Sequence, residues 1–181
     1  MISGNGEKMA QFKFEDYIRD IPDFPKQGIV FKDITPLLAN PAALKNTLTA
    51  LAEEWRGKKI TKVASMESRG FIFGAAVAAE LGAGFIPIRK KGKLPYKTIS
   101  QEYQLEYGTD TLEVHADAVS PGEKILIVDD VLATGGTARA VCSLLEKIGG
   151  KVEGLGFLIE LTFLKPREKL EGYRVESLIK Y

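Results

Sequence analysis

Apolar and polar positions along this chain follow two periods, one helical and one extended. Over residues 42–55, Leu44, Leu48, Leu51 and Trp55 recur at helical spacing while Lys45, Glu53 and Glu54 fall elsewhere, which predicts an amphipathic helix. Residues 63–66 form a short apolar run read as a buried strand, and Glu67-Ser68-Arg69-Gly70 a tight polar turn. A second helix then runs from Phe71 to about Leu81, and residues 85–88 make the next strand. The same order returns later. Ile125-Leu126-Ile127-Val128 is an apolar, β-branched strand, residues 129–136 a polar glycine-rich turn, residues 137–148 a helix and residues 152–161 a strand, with Gly149-Gly150 as the helix stop. Two such units predict an α/β fold with a central, mostly parallel sheet flanked by helices, because parallel strands need a crossover between them. Ligands of such sheets bind beyond the carboxyl ends of the strands, so the turns at 67–70 and 129–136 belong on the functional side.

The longest apolar stretch, residues 71–88, falls short of the ~20 residues a spanning helix needs. Glu80 inside it would cost about 3 kcal/mol in hydrocarbon, and Gly82 and Gly84 break it in two. Residues 92–112 show little periodicity and read as one long loop, which in a compact domain suits a lid. Residues 1–10 are polar, contain no apolar run long enough for a signal peptide, and read as a flexible tail.

Composition narrows the class further. The 181 residues carry 25 Lys+Arg against 24 Asp+Glu, a net charge of +1, which argues against a nucleic-acid binder or a polybasic membrane protein. With 45% hydrophobic residues the chain is long enough for a single domain, residues 11–181. Cys142, the one cysteine, has no partner for an internal disulfide and falls among Val141, Leu144 and Leu145, so a buried, inert thiol in a reducing, cytoplasmic setting is expected. His115 is the single histidine, expected at the surface, so one chain cannot assemble a histidine metal site.

The strongest chemical signal is Val128-Asp129-Asp130-Val131-Leu132-Ala133-Thr134-Gly135-Gly136-Thr137. Two adjacent carboxylates at the tip of a buried strand repel one another unless hydroxyls or a cation face them. The glycine pair lets the backbone approach a ligand, and the helix beginning at Thr137 directs its free N–H groups and positive dipole end at the same spot. Anion cradle and acidic pair together describe a ribose 5-phosphate. An ordinary helix cap and loop remain the alternative. Neither a Gly-x4-Gly-Lys-[Ser/Thr] run nor a Gly-x-Gly-x-x-Gly after a strand is present.

This stretch resembles the phosphoribosyl-diphosphate-binding signature of the type I phosphoribosyltransferases. Further blocks match, in order, the branch of that family that acts on adenine: Phe24-Pro25, residues 28–37, Glu67-Ser68-Arg69-Gly70-Phe71, residues 88–95, Leu105-Glu106-Tyr107-Gly108, and Glu160-Leu161 followed by residues 165–170. The resemblance implies the type I fold with a small hood over about residues 20–40 and a flexible lid over about residues 92–112. It implies transfer of the phosphoribosyl group of 5-phosphoribosyl 1-diphosphate to adenine, giving AMP and diphosphate in purine salvage, with Mg2+ and as a homodimer.

By that resemblance Asp129 and Asp130 hold the ribose hydroxyls and stabilise a sugar cation, and Ala133, Thr134, Gly135, Gly136 and Thr137 wrap the 5′-phosphate. Arg69, Arg89 and Lys93 take the diphosphate, Arg89 across the dimer interface, and an acidic residue at Glu67 fits the family pattern. Glu106 handles the proton at the purine N7, with a plain polar lid residue as its alternative. Val30, Phe31 and Lys32 read the adenine, although Phe31 taken alone equally suits a core position. Mg2+ is expected to arrive with the substrate diphosphate rather than in a protein cage. The same chemistry on another purine such as xanthine, and a non-catalytic phosphoribosyl-diphosphate sensor, are the competing functional readings.

Overall fold

The computed structural model describes residues 12–104 and 108–181, and the chain divides between Ala50 and Leu51 into two compact units. The expected tail, residues 1–10, lies outside the described residues. In the first unit β1 (Arg19–Pro22) and β2 (Val30–Asp33) pair antiparallel. The turn between them is tied by the Gly28 N–H, which donates to Asp23 Oδ1 at 2.7 Å. A short helix, α1 (Thr35–Ala39), follows, and α2 (Pro41–Glu53) starts where Asn40 Oδ1 accepts the amides of Ala42 and Ala43, as an N-cap should. The helix expected over 42–55 is thus present and ends two residues earlier, at Glu53.

The second unit is built on a seven-stranded sheet. Its strands are β3 (Lys62–Met66), β4 (Gly84–Lys90), β5 (Thr98–Gln104), β6 (Thr109–His115), β7 (Lys124–Leu132), β8 (Lys151–Glu160) and β9 (Val175–Lys180), in the order β5-β6-β4-β3-β7-β8-β9. The β4-β3-β7-β8-β9 pairings are parallel, and β5 and β6 join antiparallel. Ile125, Leu126, Ile127 and Val128 are fully buried, as an unbroken apolar strand in a parallel sheet requires. The crossovers are α3 (Gly70–Leu81), between β3 and β4, and α4 (Gly136–Lys147), between β7 and β8. α3 ends at Gly82 in the left-handed conformation, its N–H bonded to the carbonyls of Ala78 and Ala79. Among the described residues no helix is long and apolar enough to cross a membrane.

Two expectations change. Residues 92–112 are not one irregular loop: β5 and most of β6 lie there, paired from Thr98–His115 to Gln104–Thr109. The polar sequence Thr98-Ile99-Ser100-Gln101-Glu102-Tyr103-Gln104 conceals a strand in which only Thr98, Gln101 and Tyr103 are even half-buried. His115 ends β6 half-buried, with Tyr96 edge-on at 6.1 Å, rather than at the open surface. Cys142, by contrast, is fully buried as expected, and burial, with Glu146 nearby, pushes its thiol up to about 12.

Trp55 anchors the far side of the sheet. It is buried, carries the Arg174 guanidinium 4.8 Å over its ring, and lies against Gly154 so closely that a Cβ there would stand 2.5 Å from ring atom Cζ3. Gly154→Ala should therefore overpack this contact and lower the unfolding free energy by about 1–3 kcal/mol. Denaturant unfolding followed by fluorescence reads it directly, since Trp55 is the one tryptophan.

Candidate active site

β7 does not stop at Val128. It continues through both acidic residues to Leu132, because β8 runs alongside and pairs Asp129 with Phe157, Val131 with Ile159 and Leu132 with Glu160. Asp129 and Asp130 therefore sit at the strand tip as expected, and the turn expected from residue 129 begins only after Leu132. Asp129 is half-buried, and its Oδ1 accepts the Asp130 N–H at 2.9 Å. The same oxygen lies 2.5 Å from where a Cβ on Gly70 would be, so only glycine lets α3 start this close to the strand end. Burial, and then the charge on Asp130, raise the Asp129 carboxyl well above the usual carboxylate range.

Asp130 is 5% exposed and would be costly to bury unpaired. Its Oδ2 lies 2.6 Å from the Nε of Arg69, the residue just before α3. An arginine expected to face the diphosphate thus touches a carboxylate expected to face the ribose.

A second cluster forms at the end of β3. The Glu67 carboxylate accepts the Lys90 N–H at 2.5 Å, Arg89 Nη2 at 3.1 Å and Lys93 Nζ at 3.0 Å. Burial, the largest single influence on it, opposes ionisation, but these donors together pull its pKa down to about 2. Arg89 also donates to the Lys93 carbonyl at 3.3 Å. Arg89 and Lys93 are brought together as expected, and the group that gathers them is Glu67.

The loop after β7 leads into α4 through Gly135, at φ 76° in the left-handed region. A side chain there is doubly excluded, since a Cβ would meet the Pro166 carbonyl oxygen at 2.5 Å. The first amides of α4 have no partner within the helix and no acidic residue in its first turn opposes an anion. Ala133, Thr134, Gly135, Gly136 and Thr137 thus lie together at the N-terminus of α4. No local pattern announces Pro166 behind Gly135, or the Gln104 carbonyl of β5, 3.6 Å from the Cβ position of Gly136.

Val30, Phe31 and Lys32 lie on β2 in the first unit. Val30 is 49% exposed, Phe31 meets Phe24 edge-on at 5.2 Å, and Lys32 Nζ donates to Asp20 at 2.7 Å. Glu106 lies outside the described residues.

Comparison with known proteins bears on this arrangement. A phosphoribosyl transferase domain model matches residues 33–174. The chain belongs to the phosphoribosyltransferase family. It is 61% identical over 164 residues to the adenine phosphoribosyltransferase of Maridesulfovibrio salexigens, covering 91% of this chain and 96% of that one. Among solved structures, the adenine phosphoribosyltransferase of Thermoanaerobacter pseudethanolicus superposes with a TM-score of 0.90 at 53% identity, covering 93% of this chain and all of the other. The APRTase of Giardia lamblia, complexed with 9-deazaadenine, gives 0.88 at 40% identity, covering 96% of this chain and 97% of the other. The type I phosphoribosyltransferase fold expected from the signature is therefore the fold of this chain.

For a phosphoribosyltransferase the raised Asp129 carboxyl has a cost in the free protein. A carboxyl whose folded pKa lies above its unfolded value of about 3.9 favours folding most below that value and loses the contribution as pH rises through the folded pKa. Asp129→Asn removes the charge while keeping an oxygen for the Asp130 N–H. It should raise the melting temperature at pH 7 and leave it little changed at pH 3, as calorimetry at the two pH values would register.

Proposed function

We propose that this phosphoribosyltransferase transfers the phosphoribosyl group of 5-phosphoribosyl 1-diphosphate to adenine, yielding AMP and diphosphate. The observation that carries the reading is the meeting, at one end of the parallel sheet, of an acidic pair on β7, a neutral glycine cradle at the start of α4, and the cations Arg69, Arg89 and Lys93. Its high identity to adenine phosphoribosyltransferases over nearly the whole chain supports adenine as the base.

In the reaction the purine N9 lone pair bonds to the anomeric carbon as the bond from that carbon to the diphosphate oxygen breaks, and the single imidazole-ring proton of the base, carried on N7, is lost. The sugar gains oxocarbenium character between the two events. Asp129 and Asp130 accept the ribose hydroxyls and place negative charge beside the developing cation. The amides and threonine hydroxyls of residues 133–137 hold the 5′-phosphate. Arg69, with its fork of donors, takes the diphosphate together with Arg89 and Lys93. For this to happen Arg69 must exchange Asp130 for a phosphate oxygen, and Arg89 and Lys93 must turn from Glu67. Glu106 manages the proton at the purine N7, and Val30, Phe31 and Lys32 recognise the base.

When bound with the diphosphate, Mg2+ would supply positive charge to the leaving group. Among the described residues no three His, Cys, Asp or Glu side chains gather into a metal site. We further propose a homodimer, with Arg89 acting across its interface, and a cytoplasmic location, where phosphorylated substrates and the free thiol of Cys142 are at home.

A Mg2+-dependent assay with 5-phosphoribosyl 1-diphosphate against a panel of purines tests the reading. AMP formation from adenine is the expected result; turnover of hypoxanthine or xanthine alone would overturn it, as would tight binding of the diphosphate substrate with no AMP formed. Replacing both Asp129 and Asp130 by Asn should cut kcat/KM by at least about 100-fold while circular dichroism stays unchanged. Glu106→Gln should lower kcat by about 100-fold with little effect on adenine affinity.

A further inference from the structure

The cradle described above lacks one component that a phosphate dianion ordinarily finds. Residues 133–137 carry no charge, and Arg139, the first cation on α4, is directed away: its Nη1 donates to the Tyr173 hydroxyl at 2.9 Å and to Ser143 Oγ at 3.1 Å. The cation that reaches the cradle comes from a segment the reaction has not used. Lys169 Nζ lies 3.9 Å from the Cβ position of Gly136, on the side of that residue a side chain would fill. Among the described residues it makes no ion pair, the neighbouring lysine Lys165 being the one that faces Glu168.

Lys169 stands in a 3₁₀ turn, Pro166–Leu170, that is fixed at both ends. At its start the buried Pro166 presses its carbonyl against Gly135, and Arg167 makes two parallel hydrogen bonds, 2.7 and 2.8 Å, to the buried Glu160 at the end of β8. At its finish Leu170 is 1% exposed and packs in the main core with Ala138 and Val141 of α4. The backbone of Lys169 is thus held in register with the loop while the residue itself is exposed. The turn serves the loop twice, backing Gly135 with a carbonyl and offering Gly136 an ammonium.

We propose that Lys169 completes the 5′-phosphate site, supplying the positive charge that the neutral loop lacks, with the Glu160–Arg167 pair as its positioning anchor. The inference rests on the phosphoribosyl-transfer reading and extends the set of groups that touch the substrate. A lysine suits the task as a mobile point charge complementing directional amides.

Calorimetric titration of ribose 5-phosphate into the wild-type protein, Lys169→Met and Lys169→Arg tests this without requiring catalysis. Lys169→Met should bind about 10-fold more weakly, the effect of one lost charge-assisted contact, while Lys169→Arg stays within about 3-fold of wild type. Titration with inorganic diphosphate should give the same affinity in all three proteins. In turnover, KM for the diphosphate substrate should rise in Lys169→Met with kcat and the adenine KM unchanged. An unaltered ribose 5-phosphate affinity in Lys169→Met would sink the proposal, as would an equal loss in both variants or a matching loss of inorganic diphosphate binding. Wild-type protein that binds ribose 5-phosphate but forms no AMP would refute the adenine reading alone, leaving the titrations to decide on Lys169.

Discussion

A carboxylate buried at the end of a strand stays ionised only at a high cost unless a partner offsets its lost hydration, and the contact between Arg69 and Asp130 provides that partner. Much of the second unit is arranged around it. β3 and β7 must be neighbours in the parallel sheet for residues so far apart in sequence to touch, and α3 must begin immediately after Arg69. Gly70 follows from the same demand, because the Asp129 carboxyl occupies the place of its missing side chain. Burial and mutual repulsion strain the acidic pair, and the proposed ribose hydroxyls would relieve what the protein alone does not.

The free protein already pairs each cation proposed for the diphosphate. Arg69 has Asp130, and Arg89 and Lys93 have Glu67, so the opposing sets that 5-phosphoribosyl 1-diphosphate would separate are held against each other in its absence. This keeps the side chains ordered near their working positions and limits the entropy lost when substrate arrives. It also means that binding is an exchange of ionic partners, whose free energy is a difference between two strong interactions. The +1 net charge, a sum over the whole chain, says little about affinity for a small, highly charged ligand.

Local pattern revealed the scaffold. The run Ile125-Leu126-Ile127-Val128, the apolar helix after Gly70 and the stop at Gly149-Gly150 each carry their information within a few neighbouring residues, and the crossover topology follows from them. The signature at 128–137 likewise named the cradle, although β7 outlasts its apolar residues because pairing with β8 continues where hydrophobicity ends. What stayed hidden depends on contacts between distant positions. Nothing near Glu67 shows that the Lys90 amide, Arg89 and Lys93 will close on it, and nothing near Gly135 announces Pro166. β5 was invisible for another reason: with Ile99 and Tyr103 set apart among polar residues, it has too little apolar alternation to read.

That same polarity has a consequence at the margin of the sheet. Among the described residues β5 is the outermost strand on its side, so one flank of its backbone has no sheet partner there and offers amides and carbonyls in the geometry that recruits another chain. A Val- or Ile-rich sequence would make this flank adhesive, inviting uncontrolled strand addition between molecules. Ser100, Gln101, Glu102 and Gln104 instead surround it with hydrated side chains and a negative charge, so the residues that disguise the strand also protect the molecule from polymerising through it.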